Sequence, residues 1–220
     1  LAEEQVLTRR PSRLELHKIL QGMLTNVTAL ELKLDALRRF KRREMLRIGV
    51  RDLLRLTAVP ETTAALSDLA SVTIQAAYEI VEGELHLRYG KPMHRDRSGK
   101  WIDTGFAVIG MGKLGGGELN YSSDVDLIYV YASDEGQTRP PKGRRQAAST
   151  PNEEYFEYLA RDLTKVLTEH THEGAVYRVD LRLRPEGTVG SLAGSLARSS
   201  CPRSSPSTST APAADQSTTA

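Results

Sequence analysis

Residues 105–131 read GFAVIGMGKLGGGELNYSSDVDLIYVY, and a short distance inside this stretch limits the fold more than any other feature of the chain. Gly110, Gly112 and Gly115 satisfy the glycine spacing of a dinucleotide-binding turn and follow FAVIG, a run with the composition of a strand. Such a turn must open a long crossover helix before the next strand begins. Only Gly116 to Ser123 separate the last of these glycines from DVDLIYVY, too few for a helix and a turn together. A P-loop fails as well, because Lys113 is followed by Leu114 where Ser or Thr is required. What remains is a strand, a tight glycine turn and a second strand that opens with Asp124 and Asp126. Bare backbone amides beside Lys113 suit phosphate oxygens. A turn that needs glycine only for its φ values is the plainer alternative.

Residues i and i+2 of a strand share a face, so Asp124 and Asp126 point one way while Val125, Leu127 and Tyr129 point the other. Two like charges side by side are costly unless a cation lies between them, and magnesium held by carboxylates and phosphate is the expected occupant. Two hydrated carboxylates at a strand end are the bland alternative. A third run, AVYRVDLRLR, alternates in the same way, with Arg178, Asp180, Arg182 and Arg184 on one face and Tyr177, Val179, Leu181 and Leu183 on the other. If it lies beside the DVD strand with the charged faces aligned, Asp180 completes a three-carboxylate site, and the arginines meet phosphate with their planar forks. An exposed edge strand with Arg and Asp paired to each other stays open.

The rest of the chain places these runs. From Leu1 to about Tyr89 the apolar spacing is helical, and after a break at Pro60 the segment AALSDLASVTIQAAYEIVEGEL predicts one long helix with Leu66, Leu69, Ile74, Ala77 and Ile80 inward. The helix around Ala36 carries Arg39, Arg43, Arg47, Arg51 and Arg55 at i+4 spacing, a stripe that is either solvated or a docking face. Tyr89 to Lys100 reads as a polar connector between two domains. The segment SDEGQTRPPKGRRQAAST reads as a loop ending in a helix start, with Thr150 as N-cap, Pro151 at the first helical position and Glu153 three residues after the cap. Phe156, Leu159, Leu163 and Val166 then form the packing face of that helix. Residues 197–220, with no aromatic, Leu, Ile or Val, are expected to be disordered. The fold class expected is α+β.

Composition excludes several functions. A net charge of +2 over 220 residues gives no bias toward nucleic acid. One cysteine, Cys201, leaves no disulfide framework and no cysteine-based zinc site, and fits a reducing cytoplasm. No apolar run approaches the roughly 18 residues a membrane span needs, so no membrane partner is expected. The chain starts at Leu1 rather than Met, as a piece of a longer polypeptide would.

A glycine turn, DxD on the next strand and a third Asp on a later strand resemble the nucleotidyltransferase fold typified by polymerase β. LRRFKRREMLRIGVRDLL, LSDLA, GMGKLGGGELNYSSDVDLIYVY and VYRVDLRLRPEGTVGSLAGSL together resemble glutamine synthetase adenylyltransferase, over roughly Leu37 to Ser195. That family attaches AMP to a tyrosine of glutamine synthetase and removes it, using two similar catalytic halves. Met111, Asn120 and Arg178 resemble the adenylyl-removing half. The resemblance implies a helical region over 1–95, a polymerase-β-like nucleotidyltransferase core over 96–196 that is incomplete at its C-terminus, and a tail from 197. It implies phosphorolysis of adenylyl-tyrosine to ADP, with AMP transfer from ATP or an inactive remnant that only binds as the alternatives. Asp124, Asp126 and Asp180 would be the catalytic carboxylates holding Mg2+. Gly112, Lys113, Gly115, Gly116 and Ser123 would hold nucleotide or phosphate, and Arg182 and Arg184 would neutralise growing charge. Implied partners are glutamine synthetase, ATP, ADP and inorganic phosphate, and a PII-type signal protein for the full-length enzyme. After Ser195 the family pattern is lost, as after a truncation or a shift of reading frame.

Overall fold

The computed structural model describes residues 9–140, 149–183 and 190–199. Helices α1 (Arg13–Leu24), α2 (Leu30–Leu53) and α3 (Val59–Tyr89) come first. Strands β1 (Lys91–Arg95), β2 (Trp101–Asp103) and β3 (Phe106–Gly110), the single turn α4 (Gly112–Gly115), and strands β4 (Val125–Tyr131) and β5 (Gln137–Arg139) follow. The chain continues through α5 (Asn152–Thr168), β6 (Val179–Asp180), β7 (Ala193–Ser195) and the turn α6 (Leu196–Ser199). The architecture is α+β. The tail beyond residue 199, including Cys201, lies outside the described residues.

Local chemistry accounts for the helix ends. Ser12 caps α1 with a capping box, its hydroxyl accepting from the Glu15 amide while the Glu15 carboxylate accepts from the Ser12 amide at 2.8 Å. Pro60 stands in the first turn of α3, where a missing N–H loses nothing, and the break expected there is the start of this helix. Leu66, Leu69, Ile74, Ala77 and Ile80 are buried along α3, as the spacing predicts. α5 begins one residue later than its sequence signal. Pro151, which has no side-chain acceptor, is the N-cap in place of Thr150, whose carbonyl and amide are both bonded to Thr138 of β5. Phe156, Leu159, Leu163 and Val166 do form the buried face of α5.

The main sheet is built on β4. β3 pairs with it antiparallel, from Phe106↔Tyr131 to Gly110↔Leu127. β6 and β7 pair with it in parallel, β6 at Val125↔Val179 and Asp126↔Asp180 and β7 at Tyr129↔Ala193 to Tyr131↔Ser195. Val125, Leu127, Tyr129 and Tyr131 alternate into the core. There Phe106 stacks on Tyr78 of α3 and on Phe156 of α5, whose ring centroid lies 4.5 Å from that of Tyr131. The buried side chains form one cluster running from Leu16 and Phe40 in the helices, through the sheet, to Leu163 and Val176.

Two segments differ from their sequence reading. The stretch expected as a polar connector is the hairpin β1–β2, joined to β5 in a separate three-stranded antiparallel sheet. Asp96 closes its turn by accepting from the amides of Ser98 and Lys100. Its polarity reflects a sheet with little apolar cover, tied to the body through the buried Asn152, whose Nδ2 donates to the Glu135 carbonyl (2.8 Å) and to Thr104 Oγ1 (3.0 Å). β5 likewise occupies part of what reads as loop, and residues 141–148 of that loop are outside the described residues.

The arginine row of α2 is not one solvated stripe. An i+4 step overshoots a full turn by about 40°, so five residues wind about 160° around the helix. Arg39 is half exposed and Arg51 is buried. Between them Arg47 pairs with the buried Glu44 at 2.7 Å, and Arg55 lies past the helix end with φ of 56°.

Candidate active site

β3 delivers the chain to the glycine turn, and β4 takes it away carrying the aspartates. The Met111 amide donates to the Asp126 carbonyl at 2.8 Å, which ties the entry of α4 to the start of β4. Gly112 has φ of 52°, and a Cβ there would stand 2.5 Å from Asp126 Oδ2. The turn therefore closes directly over one carboxylate, and the left-handed φ at Gly112 favours glycine.

The phosphate-binding amides expected at Gly115 and Gly116 are engaged within the chain. Gly115 N–H donates to the Met111 carbonyl and Gly116 N–H to the Gly112 carbonyl, both at 3.0 Å, because the segment forms a helical turn and not an open loop. Among the described residues, the amides of Gly112, Lys113 and Leu114 have no intramolecular acceptor, as at the start of any helix. The Lys113 side chain is exposed and makes no ion pair among the described residues. Ser123 closes a turn, its amide donating to the Asn120 carbonyl and its Oγ accepting from the Asn120 amide.

The parallel register sets Asp180 directly beside Asp126. Asp124, one residue before β4, is half exposed and pairs with Arg178 Nε at 2.6 Å. Arg178 also donates from Nη2 to the Ser122 carbonyl at 2.7 Å. Arg182 grips Asp180 through Nε at 2.8 and 3.0 Å and through Nη2 at 2.5 Å, and its amide donates to Oδ1 at 2.9 Å. The Arg182 hydrogen bonds hold the Asp180 carboxyl below its ordinary value. Arg182 itself is pushed up, mainly by Asp180 and further by the charges of Asp126 and Asp124, so all three carboxylates act on one guanidinium.

The third run is a strand only over Val179–Asp180. Before it, the Val176 and Tyr177 amides both donate to the Leu167 carbonyl at the end of α5, and after it the chain turns at Arg182 and Leu183. The expected row of arginines is accordingly divided, with Arg178 on Asp124, Arg182 on Asp180, and Arg184 outside the described residues. Among the described residues no three His, Cys, Asp or Glu side chains are grouped as a metal centre requires. The donor chemistry is nonetheless that of a hard divalent cation: carboxylate oxygens on adjacent strands, one against a glycine turn. A cation would replace the guanidinium groups that now neutralise Asp124 and Asp180.

Asp52 and Ser67, which lie in the segments LRRFKRREMLRIGVRDLL and LSDLA without a role assigned from the sequence, reach the loop before Asp124 from the helices. Nothing in the local pattern of a single sequence marks a contact across 52 or 69 residues.

The sequence profile of the glutamate-ammonia ligase adenylyltransferase family matches residues 1–200. The chain belongs to this family. It is 42% identical over 163 residues to the bifunctional glutamine synthetase adenylyltransferase/adenylyl-removing enzyme of Xanthomonas axonopodis pv. citri, covering 73% of this chain and 16% of that protein. It is 43% identical over 178 residues to the enzyme of the same name from Nitrosococcus oceani, covering 81% and 17%. With the enzyme of that name from Burkholderia mallei the identity is 45% over 161 residues, covering 73% and 16%. The chain thus spans about one-sixth of the length of these relatives. Among the described residues no helix is long and apolar enough to cross a membrane.

Gly115→Ala and Gly117→Ala separate collision from strain. Gly117, with φ of 73° and open space around it, is expected to lose only the left-handed strain, about 1–2 kcal/mol. Gly115→Ala has no left-handed strain but puts a Cβ 2.6 Å from the Gly110 carbonyl oxygen of the backbone, and is expected to lose more in urea denaturation. Arg182→Ala is expected to move the Asp180 titration midpoint upward toward the ordinary carboxylate range. The ion pair adds to stability above that range and is lost as pH falls through the lowered value, so carboxyl-carbon NMR titration of both chains reads the shift.

Proposed function

We propose that the chain carries the catalytic strands of a polymerase-β-like nucleotidyltransferase acting on glutamine synthetase, and that its reaction is phosphorolytic removal of AMP from adenylyl-tyrosine. The observation that carries this reading is the Asp126↔Asp180 register beside Asp124, with the glycine turn closing over Asp126. Two adjacent strands supply hard oxygen donors at one end of a sheet, and arginines stand at the same place. Family membership supports an adenylyltransferase chemistry. Met111, Asn120 and Arg178 favour the removing direction over AMP transfer from ATP.

In this reaction an oxygen of inorganic phosphate forms a bond to the α-phosphorus, the bond from that phosphorus to the tyrosine oxygen breaks, and the released phenolate takes a proton. The products are ADP and unmodified tyrosine. Asp124, Asp126 and Asp180 would hold Mg2+, which when bound supplies charge neutralisation for the attacking and leaving oxygens. Arg178 and Arg182, released from their carboxylates, would pair with phosphate oxygens through their forks. Lys113 and the free amides of Gly112 and Lys113 would orient the phosphate from the other side. Glutamine synthetase, ADP and inorganic phosphate are the partners this chemistry needs, with ATP for the reverse direction and a PII-type protein for the longer enzyme. A single cysteine fits a reducing, cytoplasmic setting.

The test is ADP formation from adenylylated glutamine synthetase and inorganic phosphate, with and without Mg2+. Asp124→Asn with Asp126→Asn is expected to leave the fold intact and to lower turnover by at least about a hundredfold, as loss of charge stabilisation does. Undiminished ADP release by the double variant sinks the reading. Absence of release by the parent chain, with nucleotide still bound, assigns it a binding role only.

A further inference from the structure

The segment 117–123 between the glycine turn and Asp124 is anchored from far away in sequence. Leu119, itself buried, donates its amide to Ser67 Oγ on α3 at 3.0 Å, and Ser67 is buried with it. Two residues on, the Tyr121 hydroxyl donates to Asp52 Oδ2 at the end of α2, at 3.1 Å, with its ring beside Gly49. Asp52 is fixed in turn, since its Oδ1 accepts from Thr62 Oγ1 at the start of α3. At the exit of the segment, Arg178 holds the Ser122 carbonyl together with Asp124. Burial, with Asp52 nearby, pushes the Tyr121 phenol up to about 12, so it stays a donor at neutral pH.

Two helices thus fix a segment that leads within three residues to a candidate catalytic carboxylate. The bonds are polar and lie at its Leu119 and Tyr121 positions; Leu119 is buried, while Asn120, Tyr121 and Ser122 are exposed. We propose that Ser67 and Asp52 are positioning residues of this site: by fixing Leu119 and Tyr121 they set where Asp124 stands relative to Asp126 and Asp180. The proposal rests on the reading of Asp124 as a divalent-cation carboxylate. It also gives the helical region a task in the chemistry beyond burying apolar surface.

The experiment uses the whole 220-residue chain with Ser67→Ala, Asp52→Ala, Asp52→Asn and Tyr121→Phe. Mn2+ binding is read by electron paramagnetic resonance, amide hydrogen exchange by NMR, and stability by urea denaturation. Ser67→Ala, Asp52→Ala and Tyr121→Phe are each expected to weaken Mn2+ binding about tenfold, the lower end of what loss of a ligand-orienting partner does. Exchange should quicken at residues 119–123 and stay unchanged in the middle of α2 and α3. Asp52→Asn, whose amide oxygen still accepts from Tyr121, should restore the parent affinity. Unchanged affinity in all three variants overturns the proposal, as does faster exchange spread along α2 and α3 in proportion to lost stability. If the parent chain binds no Mn2+, the cation reading of Asp124 fails by itself. Exchange then decides the positioning alone: confined to 119–123 it upholds it, and unchanged it overturns it.

Discussion

Strand β4 is hydrogen-bonded along both edges, and the position of each candidate site residue follows from that pairing. On one edge β3 runs antiparallel and hands the chain into the glycine turn over the end of β4. On the other edge β6 runs parallel, and its register puts Asp180 opposite Asp126. A slip of one residue would turn Asp180 to the opposite face of the sheet and bring Val179 or Leu181 to the charged one. The register is held by burial on the far side, where Val125, Leu127, Tyr129 and Tyr131 have no solvent-facing alternative.

Helices enter the site through this same strand. The buried cluster is continuous from α1 through the sheet to α5, and the apolar faces of α3 and α5, packed against each other, cover the buried face of β4. Polar contacts from α2 and α3 then reach past the sheet to the loop before Asp124. Candidate site residues and scaffold residues are interleaved along the chain, and the family match spans residues 1–200.

What was legible in the sequence is what depends on period and spacing. Alternation in DVDLIYVY, the 3.6-residue stripes of α3 and α5, and the few residues between the glycines and Asp124 all specify local geometry, and the structure has each of them. Less legible were features decided by pairing partners. The β1–β2 hairpin has too few buried side chains to alternate visibly, and Thr150 lost its capping role because β5 had already engaged its backbone. The amides of Gly115 and Gly116 read as free in a string of glycines, but they close a helical turn whose residues a string cannot distinguish from an open loop. Arg178 and Arg182 flank a strand of two residues, so alternation does not decide their direction, and their pairing with Asp124 and Asp180 depends on a tertiary arrangement.

These pairings define the sharpest question about the site, because guanidinium groups and a divalent cation compete for the same carboxylate oxygens. Anomalous X-ray scattering from crystals of this chain grown with Mn2+ addresses it directly. The proposed nucleotidyltransferase site predicts a manganese peak at Asp124, Asp126 and Asp180, and Arg178 and Arg182 turned away from their carboxylates. Both arginine pairs intact, with no manganese at these aspartates, would contradict it.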